Sequence, residues 1–357
     1  MPRPSLATML LLAVVTSPVI SHAQTEHVWR FALSGDSRNC GDVVMPAIAA
    51  GVRRDGASFY WHLGDFRAIY DFDQDVKERA GLHKLTISEY EKTAWQDFIK
   101  NQLEPFSSTP VFLGLGNHET IPPKSKSDAL IQFADWLNAS EIQLQRLKDN
   151  PEDHRVKAYY HWNRSGIDFV NLDNSSPEQF DDEQVKWLQS LLDRDAKDAA
   201  IETIVVGMHA ALPDSLASSH SMSDAPQSRE SGRKVYKLIL QFQQTSMKHV
   251  YVFASHSHFY MSGIFDTEYW HANGGVLPGW IVGTAGAERY ALPSTAPKAS
   301  EAITNVYGYL LGTVHQDDSV TFEFRHIQEM DVPSEVVKAF GQSLVHDCFE
   351  KNRAGAQ

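Results

Sequence analysis

Short apolar runs that stop at a small residue followed by a polar one recur along this chain, and that rhythm limits the folds open to it. His27 to Ser34 ends in Gly35-Asp36, Phe59 to Leu63 in Gly64-Asp65, and Val111 to Leu115 in Gly116-Asn117-His118. Further on, Ile201 to Val206 runs into Gly207-Met208-His209, and His249 to Phe253 delivers Ala254-Ser255-His256-Ser257-His258. Each run has the length and composition of a strand. Carboxylate, amide and imidazole groups carried on short loops at strand ends are what a metal centre at one edge of a sheet requires.

The intervals fit that picture. Asp42 to Arg53 has helical apolar spacing, and Asp168 to Leu172 reads as another strand, after which Ser176 and Pro177 open a helix through Leu192. Residues 71–104 and 121–155 read as charged helical insertions, the second with Trp136, Leu137, Ile142 and Leu147 as its buried stripe. Residues 211–233 are serine-rich with Pro213 and Pro226, and read as a mobile loop beside the site. Residues 306–327 read as a closing hairpin around Asp317-Asp318, and Pro333 to Lys351 as a helix.

At the start, Arg3, the apolar run Met9 to Val15 and Ser21-His22-Ala23 make a secretory signal peptide cut after Ala23. The run is well short of the roughly 20 residues that cross a bilayer, so a transmembrane anchor is not expected. The mature chain divides into a catalytic domain, residues 24–330, and a helical tail, residues 331–357. Such a signal implies a secreted or periplasmic location. The net charge of −13 disfavours a nucleic-acid groove. An anionic substrate would then need bound cations to reverse the local field. Only Cys40 and Cys348 are present. An oxidising compartment favours a bond between them, tying the tail to the first loop; two unpaired small hydrophobes is the alternative.

In that order, the motifs resemble the calcineurin-like metallophosphoesterase superfamily: Asp-x-His, Gly-Asp, Gly-Asn-His-Glu, an isolated His, then Gly-His-x-His. The resemblance covers about residues 28–327. It implies a four-layer αββα sandwich, two mixed sheets flanked by helices, with two divalent or mixed-valence transition metal ions (Mn, Fe or Zn). Asp65 would bridge the ions, Asp36 and His258 would join it on the first, and Asn117, His209 and His256 would complete the second. Nitrogen and oxygen donors suit such ions, and neither cysteine is needed. The implied reaction is hydrolysis of a phosphate monoester by a metal-activated water. His118 would stabilise phosphoryl oxygens or protonate the leaving group, and Glu119 would orient it or a metal-bound group. The rival functions are cleavage of a small or lipid-linked phosphodiester and non-catalytic binding by a degenerate site. The partner is a phosphorylated small molecule or lipid.

One position departs from the pattern. Arg38 stands where the family has its second histidine, and a guanidinium has no acceptor to offer a metal. Three repairs are open: the Tyr70 phenolate, similar to the purple acid phosphatases though five residues after Asp65 rather than three; Asn39 or water; or a weakly held first ion. Arg38 itself is read as a fork for two phosphate oxygens, with a salt bridge as the bland alternative. Among weaker candidates, His62 reads as buried and Asn174 as a turn cap. Phe259 and Tyr260 read as pocket lining, and His220 and Tyr290 as loop residues reaching toward substrate. Gly283-Thr284-Ala285-Gly286-Ala287 reads as close backbone packing near the site.

Overall fold

The computed structural model describes residues 28–175, 179–217, 219–317 and 319–354. Two sheets form its centre. The first contains β1 (Trp29–Ser34), β2 (Ala57–His62), β3 (Val111–Leu113), β11 (Tyr307–Val314) and β12 (Val320–Ile327), in the order β12-β11-β1-β2-β3. The second contains β4 (Tyr160–Arg164), β5 (Ile167–Asn171), β6 (Thr203–Gly207), β7 (His249–Ala254), β8 (Tyr260–Ser262), β9 (Gly279–Val282) and β10 (Glu301–Ile303). Its order is β10-β8-β9-β7-β6-β5-β4. Strands β1, β2 and β3 run parallel, as do β5, β6, β7 and β9, with antiparallel strands at the edges of both sheets.

Alternation along the strands explains the layering. Phe31, Phe59 and Trp61 face inward and meet Phe112, Trp162 and Phe169: the Phe31 and Phe59 rings lie edge-on to Phe169 at 5.0 and 5.1 Å, and Phe112 stacks on Trp162 at 4.0 Å. Fully burying such a side chain contributes roughly 1.5–3 kcal/mol. Ala32 and Tyr60 point the other way, onto the helix Gly41–Arg54. The helices Asp182–Asp195 and Pro226–Ser246 cover the far face of the second sheet, where Val185, Leu188, Val235 and Ile239 pack on Val170, Ile204, Val206 and Val252. Four layers result, helix, sheet, sheet, helix.

Several expectations need correction. The helix after β5 begins at Asp182, capped by Asp181, whose carboxylate accepts the Gln184 N–H at 2.8 Å; Ser176 and Pro177 lie outside the described residues. The serine-rich segment ends at Ala225, because Pro226 occupies the first turn of a 21-residue helix. The loop before it is well packed, with Ala211, Leu212, Leu216, Ala217 and Met222 all buried. The tail forms two helices, Ser334–Phe340 and Gln342–Glu350, broken at Gly341 with φ 86°. The hairpin β11–β12 is present, although Asp318 at its turn lies outside the described residues. So does the signal-type segment, residues 1–23.

Cys40 and Cys348 form a disulfide across 308 residues. It joins the start of the helix Gly41–Arg54 to the last helix, and Val345 and Phe349 share a core with Val43 and Ile48. Among the described residues, no helix is long and apolar enough to cross a membrane.

Candidate metal centre

The parallel strands of both sheets end on the same side, and the loops after β1, β2, β3, β6 and β7 carry Asp36, Asp65, Asn117, His209 and His256. Sharp turns fall at the donor residues themselves: Asp36 and Asp65, each just after a glycine, take left-handed backbones, φ 63° and 62°, and His256, after Ser255, does the same at 65°. Such strain persists where surrounding contacts over-determine it. Here Asp36 N–H donates to Gly64 O and Ser37 N–H to Asp65 O, both at 2.9 Å, while Gly35 N–H reaches Val282 O of the other sheet. His256 N–H donates to Asp36 Oδ2 at 2.7 Å, a second stitch between sheets. Close approach accounts for two glycines. A Cβ on Gly116 would lie 2.2 Å from Asp65 Oδ1, and one on Gly283 would lie 2.2 Å from Ser257 O, which places the glycine-rich stretch against the site as expected.

Glu119 plays a part the sequence did not suggest. Its Oε2 accepts the N–H groups of Asp65 and Gly116, and its Oε1 accepts that of Phe66, at 2.7–2.9 Å. It clamps the backbone of the Asp65 loop and does not orient His118.

Donor atoms of Asp36, Asp65, His209 and His256 all lie within 4.8 Å of one another, and all four residues are buried. His209 Nε2 is 3.0 Å from Asn117 Oδ1, 3.0 Å from His256 Nδ1 and 3.3 Å from Asp65 Oδ1. Donors held about 2.1 Å from a common ion lie about 3.0–3.4 Å apart, so this spacing fits one divalent ion. The imidazoles are aimed by their far nitrogens. His209 Nδ1–H donates to Leu63 O, His258 Nδ1–H to Glu288 O and His118 Nδ1–H to Ala68 O, so each presents Nε2 inward. His258 Nε2 then faces Asp36 Oδ1 at 3.4 Å. Asp36 Oδ1 is buried without a hydrogen-bond partner among the described residues. Two facing acceptors call for a cation between them, and the spacing around His209 is that of donors to a common ion, so the residues fit bound metal.

Charge follows the same logic. Burial pushes the Asp65 carboxyl up, but His209 and His118 outweigh it and hold the group well below its ordinary range. Burial lowers His256 to about 3 and also lowers His258, leaving both neutral and ready to ligate. His209 is the exception. Burial acts to lower it, yet Asp65 raises it to about 10.

The remaining candidates divide. Arg38 enters the site, its Nη2 3.5 Å from His258 Nε2 and donating to Tyr290 Oη at 3.2 Å. His220 and Tyr290 also converge there: the His220 ring lies 4.9 Å from that of Tyr290 and 5.4 Å from that of His256. Tyr70 is 54% exposed and leans on His118, ring to ring at 5.2 Å. Asn39 turns away, its amide oxygen accepting Glu288 N–H at 3.0 Å. His62 is buried, and burial lowers it to about 3; its Nδ1 accepts Gly64 N–H. Asn174 exchanges two hydrogen bonds with the Ala210 backbone and so props the His209 loop. Phe259 and Tyr260 belong to the cores instead of a pocket, Tyr260 stacking on Phe324 at 4.4 Å.

Carboxylates, an amide and imidazoles gathered at the strand ends of an αββα sandwich make a candidate metal centre. The chain belongs to the calcineurin-like phosphoesterase family, whose model matches residues 31–260. No curated protein sequence matches it. Among solved structures it is similar to the purple acid phosphatase PPD1 of yellow lupin seeds, with 16% identity and a TM-score of 0.55. That match covers 85% of this chain and 52% of the lupin chain, so the protein spans about half its length. PhoD is similar at 12% identity and TM-score 0.51, covering 90% of this chain and 77% of that one. A dimetal phosphatase of Danio rerio matches at 14% identity and TM-score 0.50, covering 84% and 96%. At these identities the likeness is one of fold.

Proposed function

We propose that the chain hydrolyses phosphate monoesters outside the cytoplasm, with divalent metal held by Asp36, Asp65, Asn117, His209, His256 and His258. The observation that carries this reading is the buried convergence of two carboxylates and two imidazoles within 4.8 Å at the ends of strands from both sheets. Asp65, Asn117, His209 and His256 make one complete position, and Asp36, Asp65 and His258 outline a neighbouring one. When bound, metal would polarise phosphoryl oxygens and lower the pKa of a water.

The chain's own groups supply the rest. His118, fixed through its Nδ1, presents Nε2 at 3.8 Å from Asp65 Oδ2, on the side where it would meet the leaving oxygen or a phosphoryl oxygen. Arg38 and the Tyr290 hydroxyl offer donors suited to the extra charge of a terminal phosphate. Tyr70, exposed beside His118, flanks the leaving-group side. The Cys40–Cys348 disulfide supports an exported protein, since such bonds persist in oxidising compartments.

The test uses p-nitrophenyl phosphate and bis(p-nitrophenyl) phosphate on protein loaded with Mn, Zn or Fe. A kcat/KM at least tenfold higher for the monoester is expected. A diester preference overturns the monoesterase assignment, and no turnover of either with any metal favours a binding role.

A further inference from the structure

A cation stands at the His258 side of the position outlined by Asp36, Asp65 and His258. Arg38 Nη2 approaches His258 Nε2 to 3.5 Å, the same nitrogen that would face an ion there. Because His258 Nδ1–H is committed to Glu288 O, Nε2 is an acceptor, and the guanidinium is the donor it meets. Tyr290 secures both partners. Its hydroxyl accepts from Arg38 at 3.2 Å, its ring stacks on His258 at 3.9 Å, and its N–H donates to His258 O at 3.1 Å. Arg38 Nε is buried as well. A guanidinium keeps its charge throughout the working pH range.

A dication entering this position would stand against a fixed positive charge that can offer it no lone pair, and like charges at such spacing repel strongly. Moving Arg38 away would break its contacts to His258 and Tyr290. The other position carries no such conflict: no permanently cationic side chain stands among Asp65, Asn117, His209 and His256.

We propose that Arg38 permanently takes the place of one of the two metal ions, so that the chain binds a single divalent ion at Asp65, Asn117, His209 and His256, with the guanidinium as the second positive centre. This rests on the metal-dependent reading above and sharpens it. The planar fork suits two phosphate oxygens and stabilises charge that develops on them. It cannot lower the pKa of a water, so water activation falls to one ion. The substrate class that fits is a phosphoryl group spanning an ion on one side and a guanidinium on the other.

The experiment counts ions. Intact protein is equilibrated with buffered Mn(II), and bound metal per chain is measured by mass spectrometry of the element, with electron paramagnetic resonance of the same samples. The wild type should hold one Mn per chain with the signal of an isolated ion. Arg38→His should hold two, with the spectrum of an exchange-coupled pair bridged by Asp65. His258→Gln, which removes the acceptor that meets the guanidinium, should still hold one ion per chain, and serves if Arg38→His does not fold. Two ions in the wild type, one ion in folded Arg38→His, or loss of the ion in His258→Gln each overturns the proposal while leaving metal-dependent hydrolysis standing. A wild type that holds no ion removes that underlying reading and the proposal with it.

Discussion

Divalent metal and a proton compete for the same nitrogen, His209 Nε2, so ion affinity should rise about tenfold per pH unit between pH 7 and about 9.5. The nitrogen is ringed by Asn117 Oδ1, His256 Nδ1 and Asp65 Oδ1, all within 3.3 Å, while Nδ1–H is already donated to Leu63 O. Without an ion, only a protonated Nε2 satisfies those acceptors. Asp65 accordingly raises the group to about 10 despite burial. At pH 7 removal of that proton costs about 4 kcal/mol, at about 1.4 kcal/mol per unit, and the cost disappears above the folded pKa. His256 and His258 are lowered, so they release nothing.

The sign for folding is opposite to the sign for binding. A raised histidine stabilises the ion-free fold fully below about 6.5, and that contribution is lost as pH rises through about 10. Bound ion supplies the positive charge instead, so the loaded protein should not follow this decline. Calorimetric titration with Mn(II), in buffers that differ in ionisation enthalpy, reads the proton count directly. About one proton should leave per ion at pH 7.5. Zero release together with a flat affinity from pH 6.5 to 9 would refute the reasoning, because His209 would then be neutral before the ion arrives.

Removing the disulfide by Cys40→Ala with Cys348→Ala frees a loop of 308 residues, for which chain entropy gives an upper estimate of about 6 kcal/mol. A fall in Tm of roughly 5–10 °C by differential scanning calorimetry is expected, and an unchanged Tm would show that the bond adds nothing to the packing of the tail. Buried His161 stands between Asp168, both of whose oxygens are 2.9 Å from Nδ1, and Asp149, 2.5 Å from Nε2; these outweigh burial and raise it to about 10. Its contribution is complete below about 6.5 and lost as pH rises through about 10, so His161→Gln should cost roughly 3 kcal/mol in urea unfolding at pH 7 and much less at pH 10.

The metal donors were legible because each follows a parallel strand by two to four residues, a spacing too short for the chain to place them anywhere but at the sheet edge. Asp36, Asp65, Asn117, His209 and His256 all meet there. What was hidden depends on long-range closure. Arg38 and Tyr290 lie 252 residues apart, and no local pattern announces that they and His258 form one unit. Glu119 looked like part of the catalytic motif, yet it spends its carboxylate on three backbone N–H groups, a role set by loop geometry. The serine-rich stretch misled by composition, since its few apolar residues are the ones that pin it. Strands β8 and β10 are three residues each, too short for alternation to reveal, and Phe259 and Tyr260 were misplaced for the same reason.

The site is also a joint between layers. Asp36, Asp65 and Asn117 come from the five-stranded sheet, and His209, His256 and His258 from the seven-stranded one. Their donors meet only while the sheets keep the spacing set by Phe31, Phe59, Trp162 and Phe169. An ion bound across that seam ties the sheets together, and its free energy adds to that of the fold, about 4 kcal/mol when free ion exceeds Kd a thousandfold. Arg38 changes the balance. Lying on the β1 loop and reaching His258 on the β7 loop, it crosses the same seam with a covalently tethered charge. One half of the joint therefore persists without metal, whereas the half at His209 is held by a proton until an ion replaces it.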